Sequence, residues 1–436
     1  MLTYELDKTG SEPLYVQIYT CIKEDIERGN IATNDKLPSK RNLASNLGVS
    51  IITVENAYNQ LIAEGYIRSV PQKGYYAEKL GTALFTEKPS AARTVIPAQL
   101  RSESDNKLFP FTIWAKLTRE ELSSNQEKLL TKPPFEGVYE LRSAISRHLK
   151  QFRNISVSPE QIIIGAGSEY LYMLMNILFG SRSIFAVEEP GYSKIAEIYA
   201  NYGMKCERIP VLSDGIDTDY LQRIKANVIH LSPSHHFPTG VITSVSKRYA
   251  LLEWASHSSD RFIIEDDYDS EFRLSGKPIP SMYSIDMMDK VIYMNTFSKS
   301  LSSTIRISYM VLPPDLLARY KAKMGFFSCP VSTFEQYALA RFIEDGYFEK
   351  HINRMRAHYK KRRASLFEKM RSHEIFANSV ISGENSGLHC VVEFRTALSD
   401  EELLREVTAL GFRASMIKDY YHNAEQRDYH TLIFPY

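Results

Sequence analysis

Between Glu160 and Leu312 the chain repeats one pattern. Six short apolar runs, Ile162–Ile164, Ile184–Val187, Val228–Leu231, Phe262–Glu265, Val291–Met294 and Ile307–Leu312, are separated by segments long enough to form a helix. Runs this short, with no polar alternation, read as strands buried on both faces. Strands alternating with helices predict an α/β fold: a mainly parallel sheet flanked by helices. The pattern stops after Leu312, and a smaller α+β part is expected there, with strands opening at Gly387-Leu388-His389 and over Thr431–Phe434. In an open sheet of this kind, ligands bind beyond the carboxyl ends of the strands.

Two of the runs turn abruptly polar at that end. Phe262-Ile263-Ile264 leads into Glu265, Asp266, Asp267 and Tyr268, and Val291–Met294 leads into Asn295, Thr296, Ser298, Lys299 and Arg306. Adjacent strand ends would bring a carboxylate and a lysine to one crevice. Pyridoxal phosphate needs such a set: an amine to condense with its aldehyde and a carboxylate to pair with its pyridinium nitrogen. Hydroxyls and a guanidinium would hold its phosphate. Each piece also has an ordinary explanation. Most lysines beside a serine are solvated surface charges, and Asp-Asp after a strand commonly caps a helix or forms a turn. The ordered combination carries the weight.

Two further strand ends face the same crevice. Gly165-Ala166-Gly167-Ser168 follows the first run and opens a helix, whose N-terminal amides and dipole favour an anion. Glu189-Pro190-Gly191-Tyr192 follows the second, where the residues alone make Tyr192 a core tyrosine near a turn. His235 and His236 are adjacent, with no acidic or cysteine partner at useful spacing, so no metal site is predicted.

The first 78 residues form a separate pattern. Leu14, Ile18, Ile22 and Ile26 recur at helical spacing. Ser39 and Ser50 are natural N-caps for a second and third helix, with Gly48 turning between them, the helix-turn-helix arrangement. Tyr66–Arg68 and Gly74–Tyr76 predict a two-stranded wing turning at 71–73. Residues 1–80 hold nine Lys/Arg against ten Asp/Glu, so the segment is not broadly basic, although Lys36, Lys40, Arg41, Arg68 and Lys73 flank the turn and the wing. Residues 79–107 mix charged, small and proline residues without a period and read as a linker. The predicted organisation is therefore 1–78 winged helix, 79–107 linker and 108–436 effector domain, whose large part reaches about 312 and whose small part covers 313–436.

A chain of 436 residues is long for one core. Its net charge of +1 favours no particular partner. The four cysteines are scattered without metal-ligand spacing. No basic and apolar leader opens the chain, and the longest apolar stretch, Tyr170–Phe179, is too short to span a bilayer. A cytoplasmic protein with no membrane partner is expected.

LPSKRNLASNLGVSIITVENAYNQLIAEGY, from Leu37 to Tyr66, closely resembles the GntR-type winged helix. IEDDYDSEFR and TFSK…R resemble the fold-type I aminotransferase-like domain of the MocR-type subgroup of those regulators. The resemblance implies a transcription regulator that binds operator DNA through Ser39, Arg41, Ser50, Thr53, Lys73 and Gly74. It implies pyridoxal 5'-phosphate on Lys299, with Asp266 at the ring nitrogen, Tyr268 at the ring hydroxyl and Tyr192 against the ring. Thr296, Ser298, Arg306, Gly167 and Ser168 would bind phosphate. Lys194 and Arg413 are candidates for an effector that is an amine, an amino acid or the cofactor itself. A head-to-tail homodimer without enzymatic turnover is implied; the alternative is an active aminotransferase with a vestigial N-terminal module. Two departures stand out. Ile51 occupies the place where the family has arginine. Phe237, in HHFPTG, stands where active aminotransferases have the asparagine of Asn-Pro-Thr-Gly.

Overall fold

The computed structural model describes residues 4, 6–7, 12–79, 108–124, 126–274, 279–383, 387–424 and 429–436. The expected linker lies outside the described residues from position 80 onward. The chain divides into two compact units, Met1–Gln99 and Leu100–Tyr436.

In the first unit, three helices (Leu14–Glu27, Lys40–Leu47 and Ile51–Ala63) enclose one apolar core. The stripe Ile18, Ile22 and Ile26 is buried against Val54, Ala57, Tyr58 and Leu61, and each such side chain contributes about 1.5–3 kcal/mol. Ser39 Oγ accepts from Asn42 N at 3.2 Å and Ser50 Oγ from Thr53 N at 3.1 Å, capping the second and third helices. Gly48, at φ 61°, closes the second helix in the left-handed region. The wing has three strands rather than two: β1 (Lys36–Leu37), β2 (Ile67–Val70) and β3 (Gly74–Ala77), in the order β1-β3-β2. Pro38 pushes Leu37 into extended backbone, and burial of Leu37 docks that extended pair on β3.

The second unit is built on an eight-stranded sheet. Its strands are β4 (Ile162–Gly165), β5 (Ile184–Glu189), β6 (Lys205–Leu212), β7 (Gly215–Ile216), β8 (Val228–Leu231), β9 (Phe262–Asp266), β10 (Val291–Thr296) and β11 (Ser308–Val311), in the order β4-β11-β10-β9-β8-β5-β6-β7. The pairs among β10, β9, β8, β5 and β6 are parallel. β11 runs antiparallel to both β10 and β4, and β7 to β6, so the sheet is mixed. The cause lies in the connection. A parallel crossover needs a dozen or more residues, usually with a helix, and only the short Phe297–Ser300 helix and a turn join β10 to β11. β6 was missed in the sequence because its half-polar KCERIPVL gives no apolar run.

Strand parity sorts the two faces. Ile264, Ile292, Met294 and Met310 pack with the helices Ser168–Phe179, Ser193–Asn201 and Pro314–Met324. Tyr293 and Tyr309 pack with Tyr139–Arg153, Thr333–Glu344 and the 25-residue helix Tyr347–Arg371 on the other face. The small part is an antiparallel sheet of β12 (Val380–Ser382), β13 (His389–Glu393), β14 (Ser415–Met416) and β15 (Thr431–Pro435), ordered β12-β13-β15-β14.

Candidate functional site

One edge of the large sheet gathers the polar strand ends. Register sets Met294 opposite Asp266, Thr296 opposite Ser308 and Ser308 opposite Gly165. Because β11 is antiparallel, Arg306 at its entry meets the same edge as Thr296 and Lys299 at the exit of β10. The sheet thus brings Asp266, Thr296, Ser298, Lys299, Arg306 and Gly167 to one rim.

Asp266 is buried at the end of β9 and held from the side. Tyr172 Oη donates to its Oδ2 at 2.6 Å, and His230 Nε2 lies 3.6 Å from the same oxygen. Tyr199 Oη is 2.8 Å from His230 Nδ1, extending the chain of polar contacts to a second helix, Ser193–Asn201. Burial, then the Asp266 charge, pushes the Tyr172 hydroxyl well above its ordinary pKa, so it stays a donor. Sequence reasoning missed Tyr172, Tyr199 and His230. The only available signal was Tyr172 standing one helical turn after Ser168.

The anion cradle is formed by backbone that disfavours ordinary side chains. Gly167 has φ 89°, and a Cβ there would sit 2.7 Å from Arg306 Nη2, so the guanidinium lies against the glycine backbone. Arg306 itself has φ 51°, a conformation costing a non-glycine residue on the order of 1–3 kcal/mol. Thr296 Oγ1 accepts from Ser298 N at 3.1 Å, and Ser298 Oγ is buried with no partner among the described residues. An orphaned hydroxyl, a glycine-lined guanidinium and a helix N-terminus at Ser168 suit a phosphate. Glu169 bridges the rim, with Oε1 3.1 Å from Lys194 Nζ and Oε2 3.4 Å from Arg306 Nη2.

Lys299 is exposed in the single chain, as are Arg306 and the 42%-exposed Tyr192. The Lys299 amine is close enough to His389 that its charge, after burial and His235, helps depress that imidazole. Behind the lysine, His351 Nε2 lies 3.0 Å from Ser300 O. The Tyr268 hydroxyl lies 3.3 Å from His235 Nδ1, which is 2.8 Å from Asp269 Oδ2. Burial, then Asp269 and Asp266, raises its pKa well above the usual phenol value. Phe237 packs edge-on to Tyr192, ring centroids 6.4 Å apart, and to Tyr420 at 4.9 Å. Burial pushes Glu188 up to about 8 and His236 down to about 3. Their 3.6 Å contact therefore joins two uncharged groups at neutral pH. Arg413 is exposed on the segment between Phe412 and β14.

In the winged helix, Ser39, Arg41, Ser50 and Lys73 are exposed, Thr53 and Gly74 half-buried. Lys40 is tied to Glu55, and Arg68 lies 3.2 Å from Glu78. Two of the five cations flanking the turn and wing are thereby neutralised internally. The third helix presents Ile51 and Ile52, the latter 68% exposed, at its N-terminal end.

A winged helix in the same chain as an aminotransferase-fold unit, with a carboxylate, a lysine and an anion cradle on one sheet edge, defines a class: regulators with an aminotransferase-like body. Family comparison agrees. Residues 14–76 match the gntR family of bacterial regulatory proteins, and residues 101–420 match aminotransferase class I and II. The chain belongs to the MocR-type subgroup of GntR regulators. It is 37% identical to the HTH-type transcriptional regulator YdeL of Bacillus subtilis, over 94% of this chain and 90% of that one. It is 32% identical to the probable rhizopine catabolism regulatory protein MocR of Rhizobium meliloti, over 97% and 90%. Among solved structures, the multiple substrate aminotransferase of Thermococcus profundus superposes with a TM-score of 0.66 at 25% identity, covering 76% of this chain and 83% of that one. The cofactor of the aminotransferase class I and II domain is pyridoxal 5'-phosphate, and the gntR-type domain is a DNA-binding one. No helix among the described residues is long and apolar enough to cross a membrane.

Proposed function

We propose that the protein is a transcription regulator that holds pyridoxal phosphate at the sheet edge and responds there to a small amine, an amino acid or the cofactor itself. The observation that carries this reading is the Arg306–Gly167 cradle with its orphaned Ser298 hydroxyl, set on the same rim as Asp266, in a chain headed by a winged helix. Bound pyridoxal phosphate supplies an aldehyde that one amine can release and another can take. Lys299 would tether it, and Asp266, fixed by Tyr172, would keep a proton on the ring nitrogen. Tyr268 would meet the ring hydroxyl and Tyr192 the ring face. Gly167, Ser168, Thr296, Ser298 and Arg306 would receive the phosphate. Lys194 would meet an acidic group of an effector in exchange for Glu169, and Arg413 is the other candidate for that role.

Ser39, Arg41, Ser50 and Thr53 would approach DNA, with Lys73 and Gly74 in the wing. With no cation on the third helix, phosphate contacts from Arg41 and Lys73 supply affinity and the polar residues Thr53, Asn56 and Asn59 read bases. The openness of Lys299, Arg306 and Tyr192 fits a site completed by a second copy, in line with a head-to-tail dimer. An effector that favours one arrangement of the dimer would shift DNA occupancy by its differential affinity.

The test is a mobility-shift assay of the protein on its own promoter fragment, with and without cofactor and a panel of amines. A shift insensitive to cofactor and to every amine contradicts the sensing role. A second reading, an active aminotransferase, is favoured by the structural likeness. Against it stand Phe237 and the absence of arginine from β15. Sustained turnover of an amino donor and a keto acid would reverse the ranking.

A further inference from the structure

The third helix of the winged unit, Ile51–Ala63, starts on two isoleucines that the fold does not use. Ile51 is 46% and Ile52 68% exposed. Neither belongs to the apolar core that Val54, Ala57, Tyr58 and Leu61 of the same helix help to build. β-Branched residues are also poorer helix formers than straight-chain ones. Neither packing nor propensity therefore accounts for the pair.

Their position does. In a helix-turn-helix the second helix enters the major groove and its N-terminal residues meet the base edges. Here that helix is Ile51–Ala63, preceded by Lys40–Leu47 and the turn at Gly48. Ser50 fixes its start: Ser50 Oγ accepts from Thr53 N at 3.1 Å and lies 2.7 Å from Thr53 Oγ1. The first side chains beyond that cap are the two isoleucines. The rest of the exposed stripe is uncharged as well. Ile52, Asn56 and Asn59 recur at i, i+4 and i+7, on one helix face, and all three are exposed. Among the described residues no partner engages the Asn56 or Asn59 amide, whereas Gln60 Nε2 donates to Glu64 Oε1 at 2.5 Å. From Ser50 to Ala63 there is no lysine or arginine, and the single acid, Glu55, is tied to Lys40.

Base edges sort these side chains by chemistry. Arginine or lysine on guanine O6 and N7 is the commonest specific contact, asparagine pairs with adenine N6 and N7, and apolar groups pack on the thymine methyl. This helix lacks the first kind and presents the other two. We infer that it reads A·T pairs in the major groove, with Ile51 and Ile52 packed on thymine 5-methyl groups and Asn56 and Asn59 set for adenine edges. The inference rests on the DNA reading above and adds the base chemistry to it. Phosphate contacts from Arg41 and Lys73 position the helix and carry no sequence information, so discrimination falls to this stripe.

The experiment titrates full-length protein onto two versions of its promoter fragment in a mobility-shift assay, one with thymine and one with uracil in its place on both strands. Uracil lacks the 5-methyl group and keeps the pairing edge. Each methyl buried against isoleucine contributes about fourfold in affinity, so wild type should bind the uracil fragment about tenfold or more weakly. I51S/I52S should bind the thymine fragment about tenfold or more weakly than wild type and distinguish the two fragments by less than about twofold. Its salt slope should match that of wild type, because no phosphate contact is lost. I52V, which keeps a branched apolar group, should retain most of the discrimination. Both positions are exposed, so these variants fold. A wild type that shifts neither fragment defeats the DNA reading, and the inference falls with it. A wild type that shifts both fragments at the same concentration, or an I51S/I52S variant that prefers thymine as strongly as wild type does, overturns the inference alone.

Discussion

Replacing Gly167 with alanine tests the anion cradle most directly. The new Cβ would lie 2.7 Å from Arg306 Nη2 and 2.9 Å from Cζ, at a backbone φ of 89°. Such backbone is essentially reserved for glycine and costs other residues about 1–3 kcal/mol. The Arg306 side chain is half exposed, so the guanidinium can swing outward rather than break the fold. The unit should therefore lose only a few °C in Tm. Phosphate binding loses more. A hydrogen bond to a charged group contributes about 1.5–3 kcal/mol, so displacing Arg306 should weaken cofactor affinity roughly 10- to 150-fold. The assay is an absorbance titration of cofactor-free protein with pyridoxal phosphate, alongside pyridoxal, which lacks the phosphate. Affinity for pyridoxal should barely change. G167A combined with R306A should lose little beyond R306A, because both remove the same contact. If G167A binds pyridoxal phosphate as wild type does, or if the two changes add fully, the phosphate is held elsewhere.

K299A should remove the visible absorbance of lysine-bound cofactor, and a persistent band means that a different amine holds it. R41A should weaken binding to the promoter fragment across all sequences and lower the salt slope by about one; an unchanged slope places the DNA on another face. Burial raises Glu188 from 4.5 to about 8, so the folded state binds the extra proton between those values and this residue's contribution to stability falls as pH rises through that window. E188Q should therefore gain on wild type by on the order of a few kcal/mol between pH 5 and pH 8 in urea unfolding, and a pH-independent difference would mean the carboxyl is ionised throughout. His148, His236 and His351 are depressed from 6.5 by burial, to about 4, 3 and 4. They withhold protons that the unfolded chain binds, so acid below pH 6.5 should destabilise the protein, an effect that glutamine in place of each should reduce.

The sequence determined a good deal alone. Short apolar runs can bury both faces only in a helix-covered sheet, so the architecture and the rim holding Asp266 and Lys299 were readable from periodicity. The capping serines Ser39 and Ser50 announced the helices they cap, because capping is local chemistry. The tertiary structure decided whatever depends on long-range partners. The length of the β10–β11 connection reversed β11 and delivered Arg306 to the rim. Tyr172 and His230 came to Asp266 from elements 94 and 36 positions away in the chain. Glu55 and Glu78 cancelled cations that looked available for DNA. Ser298 Oγ lost water without gaining a partner among the described residues, an outcome no local pattern encodes, because desolvation is a property of the whole fold surrounding a side chain.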